Sequence, residues 1–108
     1  MNILVSILQD EFERSKRMLA NNQRELNALG KGSYFIRTVQ HRKYLYRIYR
    51  DEHAKVISKY IGSVNAQQLE EISLLQQRRL LLKNEIKELK VELKQLSNTL
   101  RLYERKTD

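Results

Sequence analysis

The side chains best suited to act on another molecule lie between residues 31 and 62, KGSYFIRTVQHRKYLYRIYRDEHAKVISKYIG. Five of the six tyrosines are there (Tyr34, Tyr44, Tyr46, Tyr49 and Tyr60), with eight Lys/Arg against two acids. Most of the formal net charge of +8 is therefore concentrated in this one stretch. Guanidinium and ammonium groups neutralise phosphates, and aromatic rings offer flat faces on which bases stack, so the two interleaved suit a polyanion. The candidate contacts are Arg37, Arg42, Lys43, Arg47, Arg50 and Lys59, with Tyr44 and Tyr49 as stacking residues. Catalytic chemistry is poorly provided for. His41 and His53 are the only histidines and there is no cysteine. The run Asp51-Glu52-His53 is contiguous, and three adjacent turn residues seldom converge on one ion. We expect no enzyme, no metal, no cofactor and no small-molecule substrate.

The rest of the chain must position this island. At 108 residues with 7% aromatics and no Trp, it is too small and too charged for a large globular core, and reads as a single extended module. Its apolar residues are mostly Leu and Ile set among charges, which suits long helices packed along a seam. No apolar run approaches the roughly 20 residues of a membrane span. The opening Met1-Asn2-Ile3-Leu4-Val5-Ser6-Ile7-Leu8 lacks a cationic leader and runs into Gln9-Asp10-Glu11, so the expectation is a cytoplasmic protein. A pI near 9.9 favours nucleic acid as partner, ahead of a membrane surface or an acidic protein.

Proline is absent, and the three glycines, 30, 32 and 62, fall at the borders of the island. They divide the chain into a helix over 3–29, a sheet over 33–61 and a longer coiled-coil helix over 65–106. In the first helix Val5, Leu8, Phe12, Leu19, Leu26 and Leu29 keep one heptad frame, with Ser15 and Asn22 as polar seam positions. In the last helix Ile72, Leu75, Leu82, Ile86, Leu89, Leu93, Leu96, Leu100 and Tyr103 do the same, interrupted by Arg79, which must snorkel out or pair with an acid. Asn65 and Gln68 have the spacing of a capping box. At 1.5 Å per residue the helices would span roughly 40 Å and 60 Å. Some of the longer stripe is then left over, and the expected use is a homodimer seam of Leu82, Ile86, Leu89, Leu93, Leu96 and Leu100.

Within the island the hydrophobic period changes to two, and β-branched and aromatic residues dominate. Three strands are expected, 33–40, 44–50 and 55–61, joined by His41-Arg42-Lys43 and Asp51-Glu52-His53-Ala54 as an antiparallel meander. The fold class is α+β, in the order α-β-β-β-α, a helical hairpin with a projecting small sheet. A three-residue first turn would place Arg37 opposite Arg47. A five-residue second loop, 51–55, would place Arg47 opposite Lys59. The row Arg37–Arg47–Lys59 would then cross one face, leaving Tyr34, Ile36, Thr38, Tyr44, Tyr46, Ile48, Val56, Ser58 and Tyr60 on an uncharged face against the helices.

Gly32-Ser33, Tyr44/Tyr46, Tyr49-Arg50 and Lys55-Val56-Ile57-Ser58-Lys59-Tyr60-Ile61-Gly62 together resemble a basic, Tyr-rich β-hairpin motif of small prokaryotic and mobile-element proteins. Many versions have a Gly-rich second turn where this chain has Asp51-Glu52-His53-Ala54. The resemblance covers about 30 residues and implies a recurrent sheet module beside a charged helix, near nucleic acid; it assigns no activity. Two function classes follow. One is a nucleic-acid-binding protein. The other is an interaction module, such as a phage or plasmid inhibitor, antitoxin or adaptor, docking its basic sheet on an acidic or nucleic-acid-binding protein surface.

Overall fold

The computed structural model describes residues 2–30 and 32–106, which leaves Lys31 of the island outside the described residues. The elements follow the expected order: α1 Ile3–Ala28, β1 Ser33–Val39, β2 Arg42–Arg50, β3 Val56–Ser63 and α2 Ala66–Lys106. The strands form one antiparallel sheet in the order β1-β2-β3. By packing the chain divides into two compact units. One holds α1 and the part of α2 from Leu81 onward; the other is Leu29–Leu80.

The helical unit is built on the heptad stripes. Leu82 is fully excluded from solvent, and Ile86, Leu89 and Leu100 are buried with it. Val5, Leu8, Phe12, Leu19, Asn22 and Leu26 of α1 are half-buried, and Ser15 at the middle of that stripe is buried. A serine there is small enough to let two helix backbones approach. Asn22, near the end of α1, donates from Nδ2 to Glu85 Oε2 at 2.9 Å, near the start of this stretch of α2, so the two helices run antiparallel. Their lengths match. Of the 41 residues of α2, the 15 from Ala66 to Leu80 belong to the other unit, leaving 26 beside the 26 of α1.

The part of α2 that exceeds the length of α1 thus lies outside the helical unit. Of the six residues expected to join two protomers, Leu82, Ile86, Leu89 and Leu100 are buried within one chain, and Leu93 and Leu96 are half-buried there. The remaining length of α2 lies in the unit that contains the sheet.

In that second unit α2 begins with the expected capping box. Asn65 Oδ1 accepts from the Gln68 amide at 2.8 Å, and Gln68 Oε1 accepts from the Asn65 amide at 3.0 Å, satisfying two donors at a helix start. Leu69, Ile72, Leu75 and Gln76 then form a half-buried stripe that ends in the buried Arg79. Gln76 donates from its side-chain amide to the Tyr34 carbonyl of β1. Arg79 does neither of the things expected of it. It is only 7% exposed, and its Nη1 has no hydrogen-bond partner among the described residues.

The first hairpin differs from expectation. Val39 pairs with Arg42, so the loop is the two residues Gln40-His41, at φ 49° and 64°. Positive φ at both central positions is the geometry of the mirror-image turns that match the right-handed twist of paired strands. Neither residue favours it, which is why the sequence did not announce it. Replacing Gln40-His41 by Asn-Gly is accordingly expected to stabilise the protein by about 1 kcal/mol. The check is a higher urea midpoint with an unchanged m-value; an unchanged midpoint would mean the turn carries no strain.

The second loop is the five residues 51–55, with Arg50 paired to Val56. Asp51 organises it: Oδ1 accepts from the amides of His53 and Lys55, both at 2.9 Å, and its own backbone pairs with Lys55 and Ala54. Ala54 stands at φ 60°, a conformation that L-residues other than Asn and Asp seldom adopt. Arg47 lies opposite Lys59, as the five-residue loop requires. Between the pairs Tyr46–Tyr60 and Leu45–Gly62 the register shifts, so that Ile61 is an extra, bulged residue.

Candidate nucleic-acid interface

Directly paired residues of an antiparallel sheet share a face, so the register assigns every side chain. Phe35 pairs with Tyr46, and Tyr46 with Tyr60. Arg37 pairs with Tyr44, Val39 with Arg42, and Arg50 with Val56. All of these lie on one face. The opposite face carries Tyr34, Ile36, Leu45, Arg47, Tyr49, Ile57 and Lys59. Strands β2 and β3 share faces as expected, while β1 is turned over by its two-residue turn.

Burial distinguishes the faces. Leu45, 6% exposed, is the one sheet residue buried among those described, and a central-strand side chain reaches that level only under cover. The Leu45 face is therefore the covered one along the central strand, while Ile36 and Lys59 at its edges are exposed. The face bearing Phe35 is open: Phe35, Val39, Val56 and Tyr60 are all exposed, Tyr60 by 54%.

On the open face one ring from each strand makes a ladder. Phe35 and Tyr46 are stacked, with centroids 4.9 Å apart and planes 17° from parallel. Tyr60 is tilted against Tyr46 at 5.5 Å and against Tyr44 at 6.2 Å. Arg37 and Arg42 lie on this face toward the first hairpin, and Arg50 lies at its other end. Arg50 is already engaged, donating from Nη1 to the Ala54 carbonyl at 3.2 Å. No strand residue on this face is acidic. At the hairpin end, His41, Arg42, Lys43, Tyr44, Tyr60 and Ser63, with Val64, Ala66 and Leu69, line an open cleft of about 560 Å³. That volume is in the range of ligand pockets.

The candidate residues thus fall into two groups. Arg37, Arg42 and Tyr44 share the open face at the hairpin end, while Lys43, paired with Thr38, stands on the opposite face and joins them only in lining the cleft. Arg47, Lys59 and Tyr49 lie on the covered face, where the Arg47 guanidinium sits over the Tyr49 ring, 5.1 Å from its centroid. The row Arg37–Arg47–Lys59 is not formed, because Arg37 faces Tyr44 and points to the opposite side from Arg47. Tyr49 accordingly holds a cation of this chain rather than offering an open stacking surface. The residues missed by the sequence reading are Phe35, Tyr46 and Tyr60. A signal for them was present: a two-residue turn sets ring against ring and separates Arg37 from Arg47, whereas the three-residue turn opposes two like charges.

Among the described residues, no group of three or more His, Cys, Asp or Glu side chains comes together in a way that could hold a metal ion. No described helix is long and apolar enough to cross a membrane. No family model, curated protein or solved structure matches the chain.

Proposed function

We propose that this chain is a non-enzymatic nucleic-acid-binding protein that presents the open face of its small sheet to the ligand. One observation carries the reading: exposed rings and arginines, with no acid, share the single face left uncovered. Phosphates need accessible cations, and Arg37 and Arg42 are both exposed on that face, with Lys43 exposed in the lining of the adjoining cleft. The start of α2 belongs to the same unit as the sheet, and Gln76 of its half-buried stripe bonds the Tyr34 carbonyl of β1.

The test is a salt titration of binding to labelled mixed-sequence oligonucleotides. Three phosphate contacts predict that log K falls against log salt with a slope of about −2 for a single strand and about −3 for a duplex. Absence of binding to any DNA or RNA at low ionic strength sinks the reading. A stoichiometric protein partner retained from nuclease-treated lysate, with no oligonucleotide binding, would transfer the same surface to an acidic protein.

A further inference from the structure

We infer that the open face takes unpaired nucleic acid, RNA or DNA, in preference to duplex. Bases would stack on Phe35 and Tyr60, and the strand would lead toward the Arg42–Lys43 cleft. The inference rests on the nucleic-acid reading and narrows its ligand.

Three observations carry it. The first is the chemistry of the ladder. Phe35 and Tyr60 lie on the two edge strands, flank the more shielded Tyr46, and are the exposed rings of the set. A duplex keeps its bases stacked on each other, so such rings gain nothing from it; splayed bases stack on them directly. The second is shape. The major groove admits a helix or a two-stranded ribbon. Three strands spaced about 4.8 Å apart, with rings standing on all three, make a platform too broad to enter face-on. The third is charge. Arg37 and Arg42 flank the rings on the hairpin side without a neighbouring acid on the face, which suits a phosphate chain. The same arginines disfavour the packing of this face on a second copy of itself, since like charges would be brought together.

The cleft extends the platform. Tyr60 and Tyr44 belong both to its lining and to the ring cluster. A base stacked on Tyr60 therefore has its adjoining phosphate within the reach of Arg42 and Lys43.

The experiment compares a 12-nucleotide oligo(dT) and oligo(U) with a blunt 12-base-pair duplex by fluorescence anisotropy at one salt concentration. The single strands are expected to bind at least about fivefold more tightly, the worth of one stacked base at the lower end. Phe35→Leu/Tyr60→Leu keeps apolar bulk but removes the rings. It is expected to lose that preference while retaining salt-sensitive binding to both forms. Equal or tighter duplex binding by the unmodified protein overturns the inference and leaves the nucleic-acid reading standing. So does an unaltered preference in the doubly substituted protein. Lack of binding to either form at low salt overturns both. Should the double substitution fail to fold, Phe35→Leu alone is expected to lose part of the preference, and the comparison on the unmodified protein still decides.

Discussion

Gly32→Ala is expected to destabilise the protein by about 2–5 kcal/mol, a large share of the roughly 5–15 kcal/mol that holds a typical domain folded. Two effects add. Gly32 stands at φ 90°, which costs an L-residue about 1–2 kcal/mol. A Cβ built there would also run into the Ile48 carbonyl oxygen and touch Tyr49 Cβ at 3.0 Å. The obstacle is backbone of the central strand, which cannot move without disturbing pairs on both sides; overpacking of this kind costs about 1–3 kcal/mol. Gly30 is the internal comparison. Its φ is 83°, but nothing lies within 4 Å of where its Cβ would be, so Gly30→Ala should cost only the conformational part. Urea denaturation of the two variants separates the contributions. Equal midpoints would show that the approach to Ile48 relaxes at no cost.

The second large effect concerns binding. Arg37→Gln/Arg42→Gln is expected to weaken oligonucleotide binding by roughly a hundredfold, about tenfold for each charge-assisted contact. It should also flatten the single-strand salt slope by about 1.4, since each lost phosphate contact removes about 0.7. Lys59→Gln removes a charge from the same island but from the covered face, where it pairs across from Arg47. It should leave the slope nearly unchanged. The comparison is demanding because all three substitutions alter net charge in the same direction. A uniform loss per charge removed, whichever the residue, would mean that net charge alone drives binding and that the open face has no special role.

The element order was legible because the signals were long. Nine of ten seam positions between Ile72 and Tyr103 are apolar, and the spacing of Asn65 and Gln68 announced the capping box that begins α2. The second hairpin was legible in part: sequence left a four- and a five-residue loop open, and the five-residue loop is the one formed, with Arg47 opposite Lys59. The first was not. Alternation identifies which residues share a side within a strand, but says nothing about which side that is relative to the next strand; only the turn does. Gln40 and His41 lack the Asn-Gly chemistry that marks a two-residue turn, so β1 was matched to the wrong faces of β2 and β3: Tyr46 and Tyr60 were set against the helices, away from Phe35, and the ladder was hidden. The seam residues were read correctly as a seam. What sequence could not supply was the division of α2, whose first stretch, Ala66–Leu80, belongs to the unit that contains the sheet.

The equal lengths of α1 and the final stretch of α2 bear on how such a chain can vary. A single inserted residue in either helix rotates everything beyond it by about 100°, turning the stripe that includes Ser15 or Leu89 off its neighbour. Seven residues added to one helix alone keep the rotation but leave roughly 10 Å of apolar stripe without cover. Seven added to both preserve the match. The two ends of the chain are therefore constrained to lengthen or shorten together, in whole heptads. The segment from Gly32 to Ser63 belongs to the other unit and stays fixed in size through such changes.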